Sequence, residues 1–565
     1  DRPFGELNAL VARNVGTRVP PLAVLSRAQN EALTQALAFD RETRTPSVEQ
    51  LLAGLVTDKA PPGRRNAVLG PAIIATVAVL GFAYLALDKL WISRRSVVVQ
   101  PVASEAQPSA SRASGTQATF SPPPHSIAVL PFVNMSGDPS QEYFSDGLTE
   151  ELLNSLSRFN ELQVAARTSS FSFQGEHPDI ATVAHRLNVA SVLEGSVRRS
   201  GHTVRVTAQL NNGVTGFRLW SQTYDRDLGD VLKLQTEIAA AVAGALKITL
   251  LGDVAEKIEL GGTRSPAAFD AYLRASKRHE LGHDPKDYET AIAGYSEAIR
   301  LDPDYALAFA YRSLMWNRGD GRALADARQA IALAPELAEG HLALAMFFQS
   351  RLDFANAKAE LERGITLAPG NATALRMYGQ FAVMTGHTDA GISAARRAVR
   401  LDPLNPISHY ELWGSLYYAR RYAESVAAAS YVLALNPPEP DSPGLRGLAY
   451  YSLGDFQNSR ASCEAGRPDN DSTQTCLALT YHRLGRYTDA EAQLTKLKAA
   501  GARWAYECAR IYAQWGNRPQ ALEYLEWALR LHNPDLRRLK ADPLMDPLRN
   551  EPRFQAIERA LKFPD

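Results

Sequence analysis

Five stretches in the C-terminal half end alike: EAIRLDP at Pro303, QAIALAP at Pro335, RGITLAP at Pro369, RAVRLDP at Pro403 and YVLALNP at Pro437. Their prolines are spaced by 32, 34, 34 and 34 residues. Each stretch is an apolar helix end stopped by a residue that has no amide hydrogen and clashes with the preceding turn. The signal weakens but continues through Pro468 to WALRLHNP at Pro534, 97 residues beyond Pro437. Between prolines each unit has room for two helices. In one unit Leu375, Tyr378, Gly379 and Ala382 fall in the first helix and Ala390, Ala394 and Ala398 in the second, small residues that permit close approach. A single unit cannot bury its own apolar face, whereas a stack of about seven or eight forms a continuous core and leaves a concave groove.

A helical-hairpin repeat of this period resembles the tetratricopeptide (TPR) family. The resemblance implies an all-α solenoid over residues 265–540, with a groove that takes an extended peptide or a helix from a protein partner. The last stretch, LKADPLMDPLRNEPRFQAIERALKFP, departs from the repeat. Residues 541–565 read as a capping segment, which such arrays need for solubility.

Upstream, residues 126–252 alternate strands and helices, the pattern of an α/β layer. Ser126–Phe132 is a short apolar strand, Tyr143–Phe159 a helix, Leu162–Ala166 a strand, Ile180–Leu187 a helix and Ser191–Arg198 a strand. Thr203–Asn211 alternates strictly, with Val204, Val206, Ala208 and Leu210 on one face, as in a half-buried strand. Asn212-Gly213 signals a hairpin back into Phe217–Tyr224, and Leu232–Leu246 closes with a helix. The phrases IAVLPFVNMSGDPSQEYFSDGLTEELLNSL, ARTSSFSFQG, LNVASVLEGSVRRSGHTVRVTAQLN and LWSQTYDRDLGDVLKLQTEIA run through the module in order. They resemble the TolB-like N-terminal domain, a relative of the FlgO domain. That resemblance implies a sensory or extracytoplasmic module and supplies no catalytic residues.

Ala67–Leu87 is 21 residues without a charge, long enough at about 1.5 Å per residue to span a hydrocarbon core of about 30 Å. Residues 67–91 are therefore expected to be a transmembrane helix behind a juxtamembrane stretch, 59–66. Lys59, Arg64 and Arg65 on one side balance Lys89, Arg94 and Arg95 on the other, so charge does not orient it. Residues 92–125, rich in Pro, Ser and Ala, read as a disordered linker with a reach on the order of 30 Å. In residues 1–58, Asp1-Arg2-Pro3-Phe4 and LSRAQNEALTQALAFDRETRTPSVEQLL resemble the end of the C-lobe of bacterial serine/threonine protein kinases, with Arg44 at the family's arginine position. A chain beginning at Asp1 is expected to be a fragment or a processed product. The glycine-rich loop, the strand lysine and the catalytic-loop motifs that phosphoryl transfer needs are not in it. The resemblance implies a cytoplasmic N-terminus, with the C-terminal domains outside the cytoplasm at the inner membrane.

The 61 basic and 61 acidic side chains cancel, leaving no field that would gather nucleic acid. No catalytic residue, cofactor or metal is expected. Asp146, Glu150 and Glu151 share one helix and read as a solvated face. His279-Glu280-Leu281-Gly282-His283 spells HExxH, but Gly282 and Asp284-Pro285 end the helix that zinc would need. Cys463 and Cys476 fall near a helix end and in the next helix, where they form either a disulfide or two buried thiols. Trp220, Trp413 and Trp504 read as core or groove aromatics. The whole is a multidomain chain: a helical kinase C-lobe remnant, one transmembrane helix, an α/β TolB-like module and an all-α TPR solenoid. Two functions compete: the protein-binding, sensor-like region of a single-pass membrane signalling protein, and a membrane-anchored scaffold for envelope assembly without kinase signalling.

Overall fold

The computed structural model describes residues 120–565, apart from 160, 177, 249–259, 282–284, 317–319, 436–441 and 565. The expected kinase-like tail (1–58), juxtamembrane stretch (59–66), transmembrane helix (67–91) and most of the linker (92–125) lie outside the described residues, as does His283 of the HExxH sequence. Among the described residues no helix is long and apolar enough to cross a membrane.

The module is a mixed sheet with helices on both faces. Its strands are β1 (Ser126–Val129), β2 (Val133–Asn134), β3 (Gln163–Val164), β4 (Ser191–Ser200), β5 (Thr203–Asn212) and β6 (Arg218–Asp227). The order is β3-β1-β4-β5-β6, with β2 paired to β4. β3, β1 and β4 run parallel, and β4, β5 and β6 antiparallel. Helices α1 (Glu142–Ser157), α2 (Arg167–Phe171), α3 (Ile180–Leu187) and α4 (Val231–Ala245) complete it. The alternation along β1 sorts the layers: Ile127 and Val129 face the core shared with α1 and α4, while Ala128 faces Val183 and Leu187 of α3. α3 begins where Asp179 accepts from the Thr182 amide and ends where Asn188 turns left-handed.

Two local readings need correction. The first apolar run breaks at Leu130-Pro131 and resumes as β2, because proline has no amide to give the ladder. The hairpin signalled at Asn212-Gly213 forms, its strands joined by a five-residue loop, 213–217. Gly213 is needed for close approach, since a Cβ there would lie 2.6 Å from that of Ala184 and 2.8 Å from the Val189 carbonyl. The helix face of Asp146, Glu150 and Glu151 is not solvated: Asp146 is 3% and Glu151 7% exposed, because the repeats pack over it.

Eight helical hairpins follow among the described residues. They are α5 and α6 (Pro266–Leu281, Pro285–Leu301), α7 and α8 (Ala306–Met315, Gly321–Leu333), α9 and α10 (Ala338–Ser350, Phe354–Leu367), and α11 and α12 (Ala372–Met384, Thr388–Leu401). Then come α13 and α14 (Pro406–Tyr418, Tyr422–Ala434), α15 and α16 (Ser442–Ser452, Phe456–Glu464), α17 and α18 (Asp471–Arg483, Tyr487–Ala499), and α19 and α20 (Ala505–Gln514, Arg518–Arg530). The turn inside a hairpin places one residue in the left-handed region. Glycine fills it at 386, 454, 485 and 516, while Leu352 and Arg420 occupy the equivalent place. Two 3₁₀ turns (Pro534–Arg538, Pro543–Leu548) and α21 (Pro552–Leu561) end the chain.

Candidate functional site

The first helices of successive hairpins line the inner face of the solenoid, where a repeat protein of this kind offers its groove. Much of that face is covered by the chain itself.

From one end comes the α/β module. Leu148, Leu152 and Leu156 of α1 share a core with Tyr272, Tyr295 and Tyr305 of the first two hairpins, all of them fully buried or nearly so. Gly147 lets α1 approach α5, since a Cβ there would fall 2.5 Å from the Leu273 side chain. Polar contacts rim this apolar seam. The Tyr143 hydroxyl donates to Asp270 at 2.6 Å, and Lys277 Nζ lies 2.7 Å from Asp146 Oδ2. Farther along, the start of α2 meets the loop after α12. The Ala166 amide donates to the Leu401 carbonyl at 2.7 Å, and the Ser169 amide and hydroxyl both donate to Asp402 Oδ1, at 3.0 and 2.6 Å. The Ser169 hydroxyl in turn accepts from the Leu404 amide at 2.9 Å. Burial pushes the Asp402 carboxyl above its ordinary range against the pull of those hydrogen bonds. Asp402 is the aspartate of the RAVRLDP repeat marker, and Ser169 belongs to the ARTSSFSFQG phrase of the module.

From the other end comes the C-terminal segment. Leu536, Leu539, Met545, Leu548 and Phe554 are wholly buried in one cluster with Leu342, Phe354 and Phe381 of α9, α10 and α11. Phe563 stacks on Phe354 with ring centroids 4.7 Å apart. Residues 541–565 thus touch repeats far from the one they follow. Charge fixes the crossing: Arg510 of α19 reaches Glu507 Oε2 at 2.6 Å and Asp542 Oδ2 at 2.9 Å, and Arg538 reaches Glu507 Oε1 at 2.7 Å. Burial disfavours ionised Glu507, but Arg510 and Arg538 outweigh it and hold the carboxyl down to about 2.

Between the module and the first four hairpins an open cavity of about 460 Å³ remains. Met315, Met346 and Met377, three of the six methionines, line it with Tyr311 and Leu342. Flexible thioethers on α7, α9 and α11 make a surface that adapts to varied apolar side chains. Glu150 and Arg167, 3.3 Å apart, stand at its module side, and Arg376 at the repeat side.

The Cys463 and Cys476 sulfurs meet in a fully buried position, with Cα atoms 6.0 Å apart, and Gly447 has no side chain because a Cβ would collide with both. Cys508 is buried and its thiol pushed up to about 12, chiefly by burial, so it is unreactive near neutrality. Trp413 is buried, and Trp220 and Trp504 pack against the cores. Among the described residues no group of His, Cys, Asp and Glu is arranged to hold a metal.

A family model described as tetratricopeptide repeat matches residues 342–406 and 415–473. The hairpins within those residues are tetratricopeptide repeats. Putative adenylate cyclase 3 of Rhizobium meliloti (strain 1021) is 39% identical over 251 residues, which is 41% of this chain and 43% of the relative. Serine/threonine-protein phosphatase 5 of Homo sapiens is 33% identical over 118 residues, 20% of this chain and 24% of the relative. The chain spans less than half the length of these curated relatives. Among solved structures, Pseudomonas aeruginosa PilF matches with a TM-score of 0.30 and 20% identity over 35% of this chain and 92% of that one. PilW, a type IV pilus biogenesis factor, matches with a TM-score of 0.27 and 18% identity over 41% of this chain and 92% of that one.

Proposed function

We propose that this chain is the protein-binding, sensor-like part of a single-pass membrane signalling protein resembling a bacterial receptor serine/threonine kinase. The repeats make it an interaction scaffold, and the methionine-lined stretch of the inner face receives a short apolar segment of a protein partner. The observation that carries this reading is the cavity left between the module and the repeats, walled by α1, by residues 164–168 and by the first four hairpins. The uncharged run from Ala67 to Leu87 and the kinase-like wording of residues 1–58 support the membrane and signalling parts. So does the likeness to a putative adenylate cyclase over 251 residues, as expected if one input region serves different output enzymes. The module and solenoid then lie outside the cytoplasm, in the periplasm, where Cys463 and Cys476 form a disulfide.

Alkaline phosphatase fused after residue 565 should be active in cells and β-galactosidase at the same place inactive. The reverse result overturns the membrane reading. Thiol labelling of the denatured protein purified under non-reducing conditions should reach Cys508 alone until reductant is added. A photo-crosslinker at Met346 should trap a protein in the envelope fraction, and Arg376→Glu should reduce the yield several-fold; an unchanged yield counts against the groove.

A further inference from the structure

A second cavity, of about 300 Å³, lies where the module meets the first two hairpins. α1 and α4 form one side, and the residues leading into α5 and α7 form the other. Glu151 of α1 lines it, more than nine-tenths buried, and its Oε1 atom has no hydrogen-bond partner. Buried carboxyl oxygens are ordinarily satisfied, so a carboxyl with an unpartnered oxygen in the wall of a cavity has capacity left for an occupant. Every other charged side chain on the wall is a cation: Arg158, Lys233 and Arg264. Lys233 shares its charge with Asp230 at 2.9 Å. Phe269 and Leu307 supply an apolar wall.

We propose that this junction cavity binds a small organic molecule bearing an oxyanion, a carboxylate or a phosphate, received by Lys233 and Arg264 and by a hydrogen bond donated from the Glu151 carboxyl. The volume suits a small metabolite. Burial, and then the charge of Glu150, push Glu151 up to about 8, against the opposing pull of Arg158. The carboxyl is thus about nine-tenths protonated at pH 7 and able to donate, and about nine-tenths ionised at pH 9. Glu339 of α9 and Tyr272 of α5 also face it, and Tyr305 at the start of α7 feels its charge. Both tyrosines are pushed well above their ordinary range by burial and stay neutral at pH 9. Because the walls come from both the module and the repeats, an occupant binds only their docked arrangement and stabilises it by mass action. This deepens the sensor reading by giving its input a chemical class, yet it needs no particular membrane topology.

The test is calorimetric titration of the full chain in detergent with sodium succinate and, separately, with inorganic phosphate, at pH 7 and pH 9. At least one probe should bind with a Kd near or below 1 mM at pH 7 and at least tenfold more weakly at pH 9. Glu151→Gln keeps a neutral donor, so it should bind within threefold of the parent at pH 7 and lose little by pH 9. Lys233→Ala combined with Arg264→Ala, both at exposed positions, should weaken binding tenfold or more. Succinate binding alone identifies a carboxylate ligand and phosphate binding alone a phosphate ligand. No binding of either below 10 mM, or binding indifferent to the Lys233 and Arg264 changes, overturns the proposal while leaving the topology result untouched.

Discussion

The two fillings of the inner face reach similar burial by opposite means. The module enters on apolar side chains rimmed by the Tyr143–Asp270 and Lys277–Asp146 contacts, and two carboxyls buried at this junction, its own Glu151 and Asp402 of the repeats, are pushed toward the protonated form. The C-terminal segment crosses on a desolvated charge network in which Glu507 is held ionised by two arginines. A buried acid without a cation at hand resists ionising, whereas one gripped by guanidinium groups resists protonating. Acid therefore suits the two raised carboxyls at the module junction and breaks the charge network at the C-terminal crossing.

The largest way to break this contrast is Arg510→Ala. Glu507 and Asp542 would lose a buried partner, and removing one member of such a network costs about 3–5 kcal/mol. Urea unfolding of the variant should show that loss, with release of the C-terminal segment seen as proteolysis near residue 540.

Next in size is pH. The folded Glu507 value of about 2 lies below its ordinary 4.5, so its contribution, on the order of 3 kcal/mol, is full above pH 4.5 and is lost as pH falls toward 2. Glu151 has the opposite sign: raised from 4.5 to about 8, it makes stability fall as pH rises from 4.5 to 8 and levels off above that. Melting curves should show the C-terminal segment released first in acid and the module first in alkali, and Glu151→Gln should abolish only the alkaline loss. A single transition that shifts uniformly at both extremes would count against separate closures.

Smaller again is Ser169→Ala. It removes the hydroxyl's bond to the buried Asp402 carboxyl and the one it accepts from the Leu404 amide, while the Ser169 amide keeps its bond to Asp402, for a cost of about 1–3 kcal/mol. Binding of a module antibody or protease access at residues 160–175 should rise while the C-terminal segment stays protected. Smallest is Phe563→Ala, which removes the stack on Phe354 and should cost about 1 kcal/mol in a denaturant midpoint.

Much of the local architecture is legible in the chain. The proline markers place the hairpins, and a second series was available to confirm them: glycine at 386, 454, 485 and 516 recurs in step, hidden only because Leu352 and Arg420 interrupt it. The alternation of Thr203–Asn211 gives β5 within a residue. Helix α2 escaped notice because five residues carry too little periodicity to register. The acidic face of α1 was misread for a different reason. A carboxylate on a helix looks solvated until the partner surface is known, and that surface lies more than 100 residues away in the repeats.

The sequence by itself determined the units: a repeating hairpin whose apolar face must be stacked, and a strand–helix module whose alternation fixes its layers. Those follow from hydrophobic period and from glycine and proline stereochemistry, which act over a few residues. Only the tertiary structure decided what fills the groove. Ser169 meets Asp402 across 233 residues, and such pairings depend on how the small rotations between the intervening repeats add up, a quantity to which each interface contributes and which no local pattern carries.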